Sequence, residues 1–416
     1  MTKRLYYESS DIHEFNSVVE EVASDSSKQS RPALVLRETA FYPTSGGQVH
    51  DTGWLTFEGV GRAEERLRVS EVADTEDGRI VHYLEAPTKM PAAGMAVRGN
   101  IDLERRRDHM QQHTGQHVLS AAFIELYQMP TVSFHMGEDY CSIDLATPAV
   151  TAKQITGAEK RANEIVFENR PVRVRYVTRA EAEKLGLRKL PPAERDELRL
   201  IEVADFDLSA CGGTHVGASG QIGSIALRKS EKVRQGTRVE FVCGERAVRM
   251  ARRDYGALSE AAGLFSTQLW DVPEQIRKSL EESRQLRKLR EDALEELAGL
   301  MAAAVLRDLA ETNGRKIVVQ TFADRDISFA KLFAQKATRA GTPAVALVGS
   351  TMEPAGIVFT QTPGGSADLG ALLKEVLSSV GGRGGGSHDF AQGGIPAGAP
   401  VDVAQILRDA ADRIGR

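Results

Sequence analysis

Residues 211–215 read CGGTH and place a cysteine four positions before a histidine, across a glycine-rich turn. A thiolate and an imidazole at this spacing can bind one metal ion, and the two glycines are typical of a tight ligand loop. Two ligands do not complete a tetrahedral site, so the others must come from another segment. The fold of the middle of the chain therefore depends on which segment lies against this loop.

The segment HTGQH offers the missing ligands. It places His113 and His117 one turn apart on a predicted helix, and His109 lies one turn earlier. All three histidines cannot bind one ion, because two helical turns rise about 11–12 Å. The spacing leaves two pairs open, His109 with His113 or His113 with His117. Either pair, together with Cys211 and His215, predicts a zinc site. The alternative is that no metal binds, so that the histidines lie on the helix surface and Cys211 packs as a small apolar residue.

The composition is that of a soluble multidomain protein. The chain has 416 residues, a net charge of −5 and three cysteines, and it shows no transmembrane or secretory segment. Three cysteines cannot form a disulfide framework, which favours a reducing, cytosolic setting without a membrane partner. Cys141 and Cys243 lie in strand-like runs and are predicted to be core residues.

One stretch departs from the acidic average. Residues 228–253 contain nine Lys and Arg against three Glu, a local charge of +6. This stretch is either a solvated basic face or a strip that contacts phosphate groups.

The pattern of turns and apolar positions predicts an α+β multidomain protein. Residues 1–100 read as a small N-terminal β-barrel, 101–252 as an α+β module with the metal ligands, 253–312 as a long helical arm and 313–416 as a C-terminal α/β domain. The glycine-rich run at 381–394 has neither common phosphate signature. It is predicted to be a phosphate-contacting RNA loop, a flexible connection or a nucleotide site.

Three motifs together carry a family resemblance. FYPTSGGQVHDTG at 41–53, HTGQH at 113–117 and CGGTHVGASGQIG at 211–223 occur in the order seen in the editing region of alanyl-tRNA synthetases. The chain resembles the free-standing alanyl-tRNA editing proteins over roughly residues 1–250, and its C-terminal part resembles the domain that closes their long form. Nothing before Phe41 resembles an aminoacylation domain, so we do not expect synthesis of alanyl-tRNA.

The resemblance implies an enzyme and assigns its metal ligands. It implies hydrolysis of the ester that joins serine, and often glycine, to the tRNA for alanine. It also implies one zinc ion per chain, bound by His113, His117, Cys211 and His215. The zinc would activate water, polarise the ester carbonyl or anchor the tRNA 3′ end. A homodimer through the helical arm and the C-terminal domain is a further expectation.

The remaining candidate residues surround these ligands. Thr44 is predicted to sense the serine hydroxyl, although it is also a typical turn-capping residue. Gln48 is predicted to orient an ester carbonyl or a water molecule. The residues assigned to substrate binding are Gly46, Gly47, Gly212, Gly213 and Thr214. The alternative function is a non-catalytic tRNA-binding or regulatory protein with a structural zinc.

Overall fold

The computed structural model describes residues 1–25, 31–59, 64–87, 89–185, 187, 197–234, 236–398 and 401–415. Within these residues the chain is a mixed α+β protein with a closed six-stranded barrel and eight α-helices. Its contacts divide it into two compact units, Met1–Glu260 and Ala261–Arg416. The division into four domains stays a prediction.

The N-terminal strands form the barrel. They are β1 Lys3–Arg4, β2 Glu14–Asp25, β3 Arg31–Leu36, β4 Glu38–Thr39, β5 Gly53–Glu58, β6 Glu64–Asp74, β7 Ile80–Leu84 and β8 Ala96–Ile101. Six of them close in the order β2-β3-β7-β6-β5-β8, and every neighbouring pair is antiparallel. Large apolar side chains such as Phe15, Leu34 and Leu55 fill the interior. The predicted β-barrel is confirmed.

A buried ion pair fastens the loop after β4 to the first helix, α1, which spans Leu103–Tyr127. The Arg106 guanidinium donates to the carboxylate of Asp51, at 2.6 Å for the shortest contact, and to the carbonyl oxygens of Ser10 and Ala40. Asp51 also accepts the backbone N–H of Tyr42 at 2.6 Å. Because both buried charges have several partners, the pair avoids the large cost of an unpaired ion and fixes the loop in place.

Helix α1 begins directly after Asp102. Asp102 occupies the N-cap, but its carboxylate makes no bond to the helix N–H groups. It accepts hydrogen bonds from Arg68 at 2.8 Å and from the Thr52 hydroxyl. The side chain therefore joins α1 to the barrel and does not cap the helix.

The rest of the first unit surrounds α1. Its elements are β9 Thr131–Met136, β10 Cys141–Leu145, α2 Ala152–Phe167, β11 Val172–Thr178, α3 Arg179–Lys184, β12 Glu197–Val203, β13 Asp207–Ala210, β14 Ile225–Val233 and β15 Gly236–Cys243. The strands form two sheets, β14-β15-β10-β9 and β11-β12-β13. Gly115 lets α1 approach the first sheet, because a Cβ there would lie 2.3 Å from Cys243 Sγ. The need for this contact outweighs the cost of glycine within a helix, about 1 kcal/mol.

The unit boundary falls within α4, Gly244–Leu264. The second unit contains α5 Val272–Asp308, β16 Lys316–Phe322, α6 Ile327–Thr338, β17 Ala344–Ser350, β18 Gly356–Gln361, α7 Leu369–Ser378, β19 Arg383–Gly386, β20 Phe390–Gly394 and α8 Val403–Gly415. The sheet order is β16-β17-β18-β20-β19. Helices α5 and α6 cover one face of this sheet, and α7 and α8 cover the other.

The long helix α5 has two different halves. Its C-terminal half packs against α6 and the sheet through Leu294, Leu297 and Met301. Its N-terminal half is largely solvent-exposed, including the apolar side chains of Ile276 and Leu280. No helix in the described part of the chain is both long and apolar enough to span a membrane.

The glycine-rich run at 381–394 is an antiparallel hairpin of β19 and β20 at the sheet edge. The flexible-connection alternative is therefore wrong. Packing explains several of its glycines, because Leu377 of α7 lies directly on the hairpin backbone. A Cβ on Gly393 would lie 2.2 Å from Leu377 Cδ1, and a Cβ on Gly384 would lie 2.7 Å from it.

We expect Gly393→Ala to destabilise the protein by about 1–3 kcal/mol, because the added methyl group overpacks the contact with Leu377. Gly385→Ala is the matched control in the same hairpin, since its Cβ would meet only Lys374 Cε at 3.6 Å. Urea unfolding of the two variants measures the difference. Equal stability of both variants would contradict the packing explanation.

Candidate metal centre

Two segments of the first unit place four potential metal ligands together. Helix α1 contributes His113 and His117, and the loop after β13 contributes Cys211 and His215. The ligand atoms of these residues all lie within 4.8 Å of one another. The three imidazoles are buried and Cys211 is half-buried.

Each imidazole is oriented by a hydrogen bond from the nitrogen that faces away from the cluster. His113 Nδ1 lies 2.8 Å from Gln48 Oε1, and His117 Nδ1 lies 3.1 Å from Asp207 Oδ2. His215 Nδ1 lies 3.1 Å from the Thr114 hydroxyl. Gln48 Oε1 and Asp207 Oδ2 can only accept, which assigns the proton to Nδ1 of His113 and His117, whereas the Thr114 hydroxyl can donate or accept. The three Nε2 atoms face the cluster, the usual arrangement around a protein-bound metal.

The distances fit a zinc ion. Cys211 Sγ lies 3.4 Å from His113 Nε2 and 3.3 Å from His215 Nε2. Tetrahedral ligands at about 2.0 and 2.3 Å from zinc are about 3.5 Å apart. One thiolate and three imidazoles are also a donor set that zinc accepts. The residues present therefore fit a four-coordinate zinc ion.

Ionisation holds two of these groups, Cys211 and His215, in the form that binds metal. Burial opposes ionisation of the Cys211 thiol, but the positive charge and hydrogen bonding of nearby imidazoles outweigh it, so the thiol pKa lies well below its usual value. Burial lowers the pKa of His215 to about 3, which keeps this imidazole neutral. Burial also disfavours charge on His117, yet its hydrogen bonds to Asp207 and Cys211 raise its pKa to about 9, so a metal ion that binds here displaces a proton from this imidazole. A low thiol pKa favours the thiolate, the form that binds metal.

Close packing explains one glycine of the CGGTH loop. A Cβ on Gly213 would lie 2.2 Å from His113 Cε1 and 2.9 Å from Gln48 Oε1, so only glycine fits there without movement. The Gly213 N–H also donates to Cys211 Sγ at 3.3 Å. On the other side of the loop, the Arg199 guanidinium donates to the carbonyl oxygens of Cys211 and Gly213.

A cavity of about 570 Å³ opens beside the cluster. It is lined by His113, His117 and Cys211, by Gly46 of the loop 44–47, and by residues of α1, β9 and β13. Two of its walls are linked by hydroxyl groups: Gln116 Nε2 donates to Ser120 Oγ at 2.8 Å, and Ser120 Oγ lies 2.7 Å from Thr131 Oγ1. The metal ligands therefore border a space large enough for a small-molecule group.

Gln48 and Thr214 lie behind the metal ligands. Both side chains are fully buried. Gln48 Oε1 accepts from His113 and from the Thr214 N–H, while Gln48 Nε2 donates to the Thr214 hydroxyl at 2.8 Å. These contacts favour a positioning role for the two residues over the predicted direct contact with substrate.

Thr44 lies on the exposed part of the same loop. Its hydroxyl accepts the His50 N–H at 3.1 Å and lies 3.0 Å from His50 Nδ1. These are the contacts of a turn-stabilising threonine, and Thr44 is absent from the cavity wall. Its neighbours Gly46 and Gly47 are exposed and have φ angles of 57° and 84°, in the left-handed region that glycine tolerates. Gly212 is exposed, and a Cβ there would contact only Tyr7, at 3.3 Å.

The remaining candidates lie outside the cluster. His109 is buried one turn before His113 and lines a different cavity, near Arg105 and Arg246. Burial lowers its pKa to about 4. Cys141 and Cys243 are buried core residues, as expected.

The sequence interpretation missed three residues that position the ligands. They are Thr114, Asp207 and Arg199. Thr114 lies within the HTGQH motif, and Asp207 precedes Cys211 by four residues, so proximity to a ligand could have suggested both. Arg199 lies in β12, and its contacts with the loop exist only because β12 and β13 pair.

Two family models match this chain. Residues 1–105 match the family described as tRNA synthetases class II (A), and these residues form the barrel and the start of α1. Residues 198–239 match the threonyl and alanyl tRNA synthetase second additional domain, and this segment includes Cys211 and His215. The two matches lie on either side of the helix that carries HTGQH.

Similar proteins extend this likeness along the chain. The alanyl-tRNA editing protein AlaX-L of Pyrococcus horikoshii is 29% identical over 412 residues, which cover 98% of this chain and 97% of that protein. The resemblance to the long alanyl-tRNA editing proteins is confirmed. The alanine–tRNA ligase of Thermococcus kodakarensis is 31% identical over all of this chain, which spans 44% of the ligase.

A solved structure also shows a partial match. The C-Ala domain of the alanyl-tRNA synthetase from Aquifex aeolicus is 17% identical over 26% of this chain and 93% of that domain. Its TM-score of 0.22 is too low to establish a shared fold.

We expect Gly213→Ala to weaken metal binding by about 10- to 100-fold, the usual effect of disturbing the residues that orient metal ligands. The added methyl group displaces His113 or Gln48. Gly212→Ala is the matched control, because a methyl group there would meet only the end of the Tyr7 side chain, at 3.3 Å, against 2.2 Å from His113 at Gly213. Zinc affinity is measured by competition with a chromophoric chelator. If both variants bind zinc as tightly as the wild type, the packing argument at Gly213 fails.

Proposed function

We propose that this protein is a zinc-dependent deacylase of mischarged tRNA for alanine, with serine as its main substrate and glycine as a second one. It acts in trans, as a separate protein that removes the wrong amino acid after synthesis. The observation that carries this proposal is the contact between three motifs. The loop 41–53, the HTGQH helix and the CGGTH loop meet at one cluster beside a cavity.

The reaction is the addition of water to the ester carbonyl, with cleavage of the acyl–oxygen bond. Its products are the free amino acid and a tRNA with an intact 3′-hydroxyl. A bound zinc ion would supply positive charge for the substrate or for the attacking water. Gln48 and Thr214 hold His113 and the CGGTH loop in position. Asp207 positions His117, and Thr114 positions His215.

A second site is chemically necessary for serine. Serine differs from alanine by one added hydroxyl group, and a pocket that binds alanine rejects serine only weakly. An editing site that hydrogen-bonds the hydroxyl discriminates well, because alanine would leave a polar group unpaired. We propose Thr44 as one hydroxyl sensor, assisted by Gly46 and Gly47, whose backbone lets the substrate approach closely. In the bound state Thr44 would exchange its contact with His50 for the substrate.

The expected partner and setting follow from the substrate. We propose mischarged tRNA as the macromolecular partner and the cytoplasm as the location. We also propose a homodimer through the exposed half of α5 and the C-terminal domain, because leucines at 280, 286 and 289 are exposed there.

We expect purified protein to hold about one zinc ion per chain and to release serine from serylated tRNA for alanine. Cys211→Ala and His117→Ala remove a ligand each and should abolish this activity. His13→Ala, which removes an exposed histidine on the barrel, is the control. Metal content and amino-acid release are measured with and without a chelator.

The same assay separates the two candidate functions. A non-catalytic tRNA-binding protein with a structural zinc would bind tRNA and zinc without releasing serine. Full zinc content in a Cys211→Ala, His215→Ala double variant would exclude these residues as ligands.

We expect Thr44→Val to reduce the preference for serine over alanine by roughly 1–3 kcal/mol in transition-state energy, because valine keeps the shape and lacks the hydroxyl. Ser45→Ala removes a neighbouring exposed hydroxyl and serves as the control. The measurement is kcat/KM for serylated and alanylated tRNA. An unchanged ratio in Thr44→Val would show that another group senses the hydroxyl.

A further inference from the structure

The basic segment 228–253 forms a surface on the first unit. Its nine cations lie on β14, on the following turn, on β15 and on α4. Five of the nine pair with a carboxylate, in the contacts Lys229–Glu231, Arg238–Asp144, Arg246–Asp108, Arg249–Glu245 and Arg253–Asp254. Among the described residues, no carboxylate lies within ion-pair distance of the other four, which are exposed: Arg228, Lys232, Arg234 and Arg252.

A β-bulge in β14 exposes two cations of the basic segment, Arg228 and Lys229. Leu227 pairs with Phe241 and Ser230 pairs with Val239, so Arg228 and Lys229 together face the single residue Glu240. β14 is the edge strand of its sheet, where bulges are common and re-aim side chains. The Arg228 guanidinium lies over the Tyr140 ring, 5.6 Å from the ring centroid. This contact positions the guanidinium without neutralising its charge.

Four arginines surround one concavity. A cavity of about 230 Å³ between the bulge, the β9–β10 turn and α4 is lined by Arg228, Arg246, Arg249 and Arg253, with two carboxylates, Glu138 and Asp139. Arg246 is rigidly held, because it donates to Asp108 at 2.6 Å and to the Gly137 carbonyl at 2.7 Å. The Arg249 and Arg253 ion pairs are exposed, at 3.5 and 3.3 Å, and such pairs contribute little. These two arginines are therefore available to a stronger anionic partner.

This concavity adjoins a larger cavity that reaches the loop 41–53. A larger cavity of about 720 Å³ shares the residues Glu138, Arg246 and Arg249 with it, and extends to Val49, the residue after Gln48. Five carboxylates line this larger cavity, and three of them pair with an arginine: Asp102 with Arg68, Asp108 with Arg246, and Glu245 with Arg249. The excess positive charge therefore lies in the smaller concavity, which four arginines and two carboxylates line.

We propose that Arg228, Lys232, Arg234, Arg249, Arg252 and Arg253, here called the arginine surface, bind the phosphodiester backbone of the RNA duplex whose aminoacylated end reaches the metal centre. This proposal rests on the proposed function, and it names where the body of that substrate is held. Arginine binds phosphate oxygens in a bidentate way, and cations on a strand edge and a helix suit a continuous row of phosphates.

The geometry favours a duplex backbone over other anions. The cavity of about 230 Å³ is smaller than a typical pocket for a nucleotide-sized ligand, about 300–1,000 Å³. Most of the unpaired cations lie outside it, along the surface. An anionic membrane is the other macromolecular surface that a basic helix can contact, and the test below includes it.

The test uses the full chain and an RNA hairpin that contains the acceptor-stem duplex and carries no amino acid. The test variant is Arg228→Gln, Arg253→Gln. The control is Arg37→Gln, Arg79→Gln, which removes the same charge from exposed positions on the barrel. The dissociation constant is measured by fluorescence anisotropy over a salt series. Each lost phosphate contact should reduce the slope of log affinity against log salt concentration by up to about one. The test variant should therefore bind more weakly, and its slope should be smaller by up to about two.

Further readouts separate binding from chemistry. The zinc content and thermal stability of the test variant should equal those of the wild type, and an unrelated RNA duplex should lose affinity equally, because phosphate contacts carry no sequence information. An unchanged slope, an equal loss in the control, or binding to anionic phosphatidylserine vesicles in place of RNA would each overturn the proposal. The binding assay uses RNA without an attached amino acid, so it does not depend on catalysis. Failure of the wild type to release serine would therefore contradict the proposed function without changing the result for RNA binding.

Discussion

The side-chain amide of Gln48 joins three segments that lie far apart in the sequence. Its oxygen accepts from His113 on α1 and from the Thr214 backbone, and its nitrogen donates to the Thr214 hydroxyl. Every polar atom of this amide is thus engaged in a fully buried place, where an unmade hydrogen bond costs about 1–3 kcal/mol. The metal ligands can converge only when the barrel loop, the helix and the CGGTH loop all occupy these positions.

The barrel loop is itself held by the buried pair of Asp51 and Arg106. This pair fixes the end of the segment 41–53, while Gln48 fixes its centre. The two contacts explain why a β-barrel accompanies a metal-binding α+β module: the barrel presents a loop that reaches across α1. They also leave residues 44–47 exposed at the rim of the cavity, where a substrate can approach.

The glycines of the motifs serve different purposes, although they look alike in the sequence. Gly115 and Gly213 are needed for close packing, against Cys243 and His113 respectively. Gly46 has a left-handed φ angle and open space around its Cα. In the second unit, Gly384 and Gly393 give Leu377 direct access to a hairpin backbone. A glycine-rich run in this protein therefore indicates contact between elements more often than flexibility.

The sequence by itself determined the barrel, the α+β character, the helices around residues 103–127 and 272–308, and the residue types able to bind zinc. These features depend on local periodicity, turn residues and spacing, which are visible in a short window. Spacing alone could not choose between His109 and His117 as the partner of His113, since both lie one turn away, and the family resemblance made that choice. Only the tertiary structure decided that Gln48 and Thr214 lie behind the ligands, that Thr44 bonds to His50, and that the glycine run is a sheet-edge hairpin. Those outcomes depend on contacts between distant segments, on the pairing of β20 with β18, or on the direction of a side chain, and none of these is fixed by the local pattern.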